Sequence, residues 1–177
     1  MESKDNIDSI ADRIRYVPDF PKKGILFRDI TPVLLDIDTL RASVKEMAAP
    51  FMDLRIDVVV GIESRGFIFG APIADLLNAG FVPVRKPGKL PWKTKSVSYE
   101  LEYGTDALEI HEDAITEGQN VLIVDDLLAT GGTAEATCKL VSKLGGNIKG
   151  LSVLIELEDL NGRKRLNQYN VHSLVQY

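Results

Sequence analysis

The chain has 177 residues, 45% of them apolar, a length and composition at which one domain closes around one core. Its 21 Lys plus Arg stand against 26 Asp plus Glu, a formal charge of -5, which argues against an electrostatic footprint for nucleic acid or an anionic membrane. The sole cysteine, Cys138, excludes disulfide frameworks and Cys-based metal sites by count and reads as a small core residue.

Residues 1–12 are charged and lack the apolar stretch of a signal peptide, and no apolar run approaches a membrane span, so a cytoplasmic protein is expected. Ile7, Ile10, Ala11 and Ile14 recur at helical spacing and predict a short amphipathic helix that ends before Pro18. Residues 18–32 hold Pro18, Pro21, Gly24 and Pro32 around Ile25, Leu26 and Phe27, an irregular segment about a short strand. Asp38 is placed to cap a helix running to about Phe51, with Leu40, Val44, Met47 and Ala48 on one face.

A strand is expected over 57–62. Its core, Val58-Val59-Val60, is continuously apolar, as in a parallel strand covered on both faces. A helix over 67–78 and strands over 81–85 and 120–124 follow. Between the last two, Gly88, Pro91 and polar residues precede alternating segments at 97–103 and 107–111, read as a mobile loop and a hairpin inserted at 86–111. A helix over 133–144 stops at Gly145-Gly146, and strands over 150–157 and 170–175 complete the chain. This alternation predicts a single α/β domain spanning 1–177. Its sheet is doubly wound and mostly parallel, with helices on both faces, a small N-terminal hood and the inserted loop.

In such a sheet, ligands collect outside the carboxyl ends of the strands, where turns aim helix N-termini at anions. The strand Val121-Leu122-Ile123-Val124 runs into Asp125, Asp126, Leu127, Leu128, Ala129, Thr130, Gly131, Gly132 and Thr133. The glycines admit a ligand against the backbone, the threonines add hydroxyls, and a helix begins there, which makes a phosphate cradle. No lysine follows the glycines, so transfer of a nucleotide's terminal phosphoryl group is not expected. Asp125 and Asp126 offer acceptors for sugar hydroxyls or for a Mg²⁺ shared with a diphosphate. An isolated acidic pair would read as solvated turn residues, and the cradle behind this one shifts the balance to function.

Two acids after an apolar strand followed by Ala-Thr-Gly-Gly-Thr resemble the motif that binds 5-phosphoribosyl 1-diphosphate (PRPP) in type I phosphoribosyltransferases. The resemblance implies that Asp125 and Asp126 bind the ribose hydroxyls and that Ala129, Thr130, Gly131, Gly132 and Thr133 wrap the 5′-phosphate. In hypoxanthine-guanine members an Asp stands at the position of Ala129, which argues against a 6-oxopurine substrate here. The match narrows to the adenine phosphoribosyltransferases from Pro18-Asp19-Phe20-Pro21 to the final strand. The segment Gly24-Ile25-Leu26-Phe27-Arg28-Asp29-Ile30 is similar to that family's adenine hood. By resemblance, Leu26 and Leu157 sandwich the base and the backbone at Arg28 reads its edge. Periodicity alone would make both leucines ordinary core residues.

Gly61-Ile62-Glu63-Ser64-Arg65-Gly66-Phe67 ends one strand and starts a helix, so Ser64, Arg65 and their amides can grip an anion. In the family this is the pyrophosphate loop, often with a non-proline cis peptide that would fall between Glu63 and Ser64. Arg85, Lys86 and Lys89 flank the loop. Alone they would read as a solvated face, whereas the family implies diphosphate binding, with the subunit that supplies them left open. Tyr99-Glu100-Leu101-Glu102-Tyr103-Gly104 is similar to the family's loop end, where the equivalent of Glu102 is the acid/base residue. The strand pattern alone would make Glu102 an exposed hairpin carboxylate. The resemblance implies a Mg²⁺-dependent transfer from PRPP to adenine by a homodimer. The competing reading, a PRPP-sensing regulator of nucleic acid, would call for a basic face or an added module.

Overall fold

A computed structural model describes residues 2–101 and 104–177, which pack as two units, 1–46 and 47–177. In the first unit, α1 (Glu2–Arg13) precedes β1 (Arg15–Pro18), which pairs antiparallel with β2 (Leu26–Asp29) in the register Arg15 to Asp29. The turn between them is closed by Asp19, whose Oδ1 accepts from the Gly24 amide at 2.7 Å. Phe20 and Phe27 meet edge to face at 5.1 Å, and the Arg28 guanidinium lies 4.3 Å from the Tyr16 ring centre, a cation–π contact.

A short α2 (Thr31–Leu35) precedes α3 (Ile37–Ala48). The sequence expectation placed the α3 cap at Asp38. Instead Asp36 accepts the Thr39 amide at 3.0 Å, because Pro32 and the Asp29 cap on Thr31 start α2 early and leave Asp36 as the pivot between helices. Thr31 and Pro32, which begin α2, fall in the segment expected to be irregular, and residues 33–35 belong to no expected element. A single 3-10 turn, Ala49–Phe51, ends the run.

The second unit is built on β3 (Val58–Ile62), β4 (Gly80–Val84), β7 (Asn120–Leu128), β8 (Asn147–Glu156) and β9 (Val171–Gln176), all parallel, in the order β4-β3-β7-β8-β9. The first crossover, through α4 (Gly66–Leu76), steps outward from β3 to β4. The second, through α5 (Gly132–Lys143), steps the opposite way from β7 to β8. Crossovers of the usual right-handed kind that step in opposite directions place their helices on opposite faces, and the reversal makes the gap between β3 and β7 the topological switch point. Sequence and structure thus agree on an α/β fold with a wound parallel sheet.

Side-chain alternation supports this sidedness. Val58, Val60, Ile62, Val121, Ile123, Leu151 and Val153 form one core with Ala134, Cys138 and Val141 of α5. On the α4 side, Phe67 meets Phe81 at 6.0 Å. Ser152, fully buried, donates from Oγ to the Met47 carbonyl at 2.8 Å, so its hydroxyl is satisfied. Burial pushes the Cys138 thiol up to about 12, which makes it an inert core residue. The inserted segment forms the expected hairpin, β5 (Thr94–Leu101) with β6 (Gly104–His111). It bridges to the residue just past β4 through mutual Arg85 and Glu109 backbone hydrogen bonds of 2.9 and 2.7 Å. Among the described residues no helix is long and apolar enough to cross a membrane.

Candidate functional site

The carboxyl ends of β3 and β7 open into a cleft of about 370 Å³ lined by Glu63, Ser64, Arg65, Asp125, Asp126 and residues 127–133. Its position at the switch point follows from topology. β7 continues beyond Val124, because Leu127 and Leu128 keep pairing with Ile155 and Glu156 of β8. The two aspartates are therefore held on a strand, not on a turn. Gly131, with φ of 82°, sits at the start of α5, a left-handed backbone that favours glycine.

Across the cleft, the Glu63–Ser64 peptide is cis, at the position the family resemblance implied. Arg65 caps α4 and donates through Nε to Oδ2 of Asp126. The start of α4 approaches β7 so closely that a Cβ on Gly66 would lie 2.8 Å from the Val124 carbonyl and 2.9 Å from Asp125 Oδ1, so only glycine fits. Asp125 Oδ1 accepts the Asp126 amide at 2.9 Å. Burial, then the neighbouring Asp126 carboxylate, raises the Asp125 carboxyl well above its ordinary value.

The basic residues converge on one carboxylate. Glu63, its side chain 8% exposed, accepts the Lys86 amide at 2.7 Å, Arg85 Nε at 3.4 Å and the Lys89 ammonium. Burial pushes Glu63 upward, but Lys89, the Lys86 amide and Arg85 together outweigh it and hold the carboxyl below its usual value. Lys86 turns its ammonium to Asp106 at 2.9 Å. Asp106 lies 3.5 Å from the Tyr99 hydroxyl, which accepts from Thr133 Oγ1 at 3.3 Å. The hairpin is thereby connected to both the basic segment and the phosphate cradle.

The structure thus gathers Glu63, Ser64, Arg65, Asp125, Asp126, Ala129, Thr130, Gly131, Gly132 and Thr133 around one cleft, with Arg85, Lys86 and Lys89 held beside Glu63. Leu157 follows β8, and its amide donates to the Leu128 carbonyl at 2.9 Å. Leu26, Phe27 and Arg28 belong to β2 of the first unit, where Leu26 is about half exposed. Glu102 and Tyr103 lie outside the described residues. Sequence reasoning missed Tyr99 and Asp106. Their alternation in a hairpin is visible, but their partners lie on separate elements. Among the described residues no group of three or more His, Cys, Asp or Glu is gathered. Asp125 and Asp126 nevertheless offer the hard oxygen donors that suit Mg²⁺.

Residues 33–175 match the family model described as the phosphoribosyl transferase domain. An adenine phosphoribosyltransferase of Clostridium perfringens is 60% identical over 169 residues, covering 96% of this chain and 98% of the relative. The crystal structure of adenine phosphoribosyltransferase from Rhodothermus marinus superposes with a TM-score of 0.94 at 53% identity, over 98% of this chain and 99% of that one. The enzyme of Saccharomyces cerevisiae, complexed with an imino-altritol bisphosphate and adenine, superposes with a TM-score of 0.91 at 40% identity, over 97% and 99% of the respective chains.

Proposed function

This chain belongs to the phosphoribosyl transferase family and, within it, to the adenine phosphoribosyltransferases; on that premise we propose that it transfers the 5-phosphoribosyl group from PRPP to N9 of adenine, giving AMP and pyrophosphate. The observation that carries the site assignment is the Arg65–Asp126 pair, which draws a loop suited to diphosphate and a strand end suited to ribose into one cleft.

In this reading Asp125 and Asp126 accept from the ribose hydroxyls, and the amides and hydroxyls of Ala129, Thr130, Gly131, Gly132 and Thr133 hold the 5′-phosphate. Ser64, Arg65 and the loop at Glu63 face the diphosphate, with Arg85, Lys86 and Lys89 as further cations. Leu157 contacts the base. The assignment of Leu26, Phe27 and Arg28 to the base rests on their motif. Adenine N9 attacks C1′ as the bond to diphosphate breaks through an oxocarbenium-like transition state. Fixed cations and amides are worth most at such a point, because they need not reorganise as charge develops. By the resemblance of its motif, Glu102 takes the proton displaced from the purine, with Tyr103 beside it in sequence. Bound Mg²⁺, shared by diphosphate with Asp125 and Asp126 as candidate ligands, would supply charge neutralisation.

We assign the chain to a single working domain, a homodimer and the cytoplasm on the same family grounds. The test is AMP formation from Mg²⁺, PRPP and adenine by the purified chain, beside hypoxanthine, guanine, xanthine, orotate and uracil. Adenine-selective turnover is expected. Turnover with another base would overturn the specificity, and PRPP binding without turnover would favour a regulator.

A further inference from the structure

The turn between β8 and β9 is charged and bears no role in the chemistry above, yet it is interlocked with the phosphate cradle. A Cβ on Gly131 would lie 2.5 Å from the Gly162 carbonyl oxygen, and one on Gly162 would overlap the carbonyl oxygen of Ala129. The two backbones touch where neither could carry a side chain. Arg165 adds a 3.2 Å bond to Glu135 in the first turn of α5, and Leu166 anchors the turn in the core.

The turn is held by one guanidinium. Arg163 donates from Nε to Glu156 Oε1 at 2.9 Å and from Nη1 to the Val171 carbonyl at 2.7 Å. Its Nη2 reaches Glu156 Oε2 and, at 3.1 Å, Ser173 Oγ. Ser173 Oγ donates to Glu156 Oε2 at 2.7 Å. Glu156, its side chain 6% exposed, ends β8, while Val171 and Ser173 belong to β9. Arg163, directly after Gly162, therefore ties the turn to both strands through a planar fork that lysine cannot reproduce.

We propose that Arg163 is a positioning residue for the 5′-phosphate: through Gly162 it fixes the backbone of Ala129 and Gly131, so that the cradle's donors are aimed before the phosphomonoester arrives. The proposal rests on the reading of this cleft as the PRPP site. Preorganised donors bind more tightly because the ordering cost is met in folding.

The test compares AMP with adenosine, since their affinity ratio isolates the 5′-phosphate. Binding is measured by calorimetry for the wild type, Arg163→Ala, Arg163→Lys and Gly162→Ala, with circular dichroism to verify folding. The AMP-to-adenosine ratio is expected to fall by about tenfold in Arg163→Ala and Gly162→Ala and by roughly threefold in Arg163→Lys, with adenosine affinity little changed. Should Arg163→Ala not fold, the lysine and Gly162 variants decide. An unchanged ratio in those folded variants, or equal loss of both ligands, overturns the proposal. A wild type that does not prefer AMP would instead remove the reading of the cleft.

Discussion

Arg65 Nε and Asp126 Oδ2 join the start of α4 to the end of β7 across the mouth of the cleft. The Asp126 side chain is 9% exposed and that of Arg65 48%, so water screens one side of the pair. Arg65→Ala is expected to lower kcat/KM by roughly 100-fold or more, as for loss of a charge-stabilising donor. The stability cost should be about 1–2 kcal/mol, below that of breaking a fully buried pair. Steady-state kinetics and denaturant melts measure the two effects separately. An unaltered kcat/KM would exclude Arg65 from leaving-group stabilisation.

Asp125 makes a pH-dependent contribution of known sign. Burial, followed by repulsion from Asp126, raises its folded value above the ordinary 3.8. Folding therefore takes up a proton over that interval. The contribution to stability is full below the unfolded value and is lost as pH rises through the folded one. Asp125→Asn should gain stability relative to wild type at about pH 7 and lose that advantage near pH 4. Thermal melts of both proteins across this range give the difference directly. A difference independent of pH would show that Asp125 is not raised.

Glu63 holds Lys89 and Arg85, which diphosphate would also engage. Glu63→Gln keeps an oxygen for the Lys86 amide but removes the competing charge. Inhibition by pyrophosphate should strengthen by about fivefold, the scale of a partly screened ion pair. Weaker inhibition would mean that Glu63 organises these cations for the ligand instead of competing with it.

For Glu102 the expected signature is kinetic. Glu102→Gln retains size and hydrogen bonding but loses basicity, so kcat should fall by about 10²–10⁴ while the KM for PRPP changes little. If turnover is retained, the displaced proton goes elsewhere.

The continuous Val58-Val59-Val60 run and the Thr130-Gly131-Gly132-Thr133 loop were legible because each signals its environment locally: burial on both faces, and a backbone open to an anion. The site's remaining order comes from residues distant in sequence. Lys86 gives no hint of Asp106, nor Thr133 of Tyr99, because each partner stands on the hairpin and meets its counterpart only after β6 has bridged to Arg85. The same holds for Arg163 and Ser173, which read as ordinary polar residues until β8 and β9 align. The cap was missed for a local reason. Asp36 and Asp38 are equally good capping residues by type, and the short α2 decides between them.

The strand order also governs assembly on the ribosome. β3 finds β4 soon after synthesis, but its other neighbour is β7, with Val58 beside Val121. The intervening hairpin must be made first, a delay of several seconds at about 5–20 residues per second. Throughout that interval β3 presents a bare, wholly apolar edge of the kind that recruits other chains. Nascent-chain aggregation should therefore peak in truncations ending shortly before Asn120 and subside once Leu128 has cleared the exit tunnel.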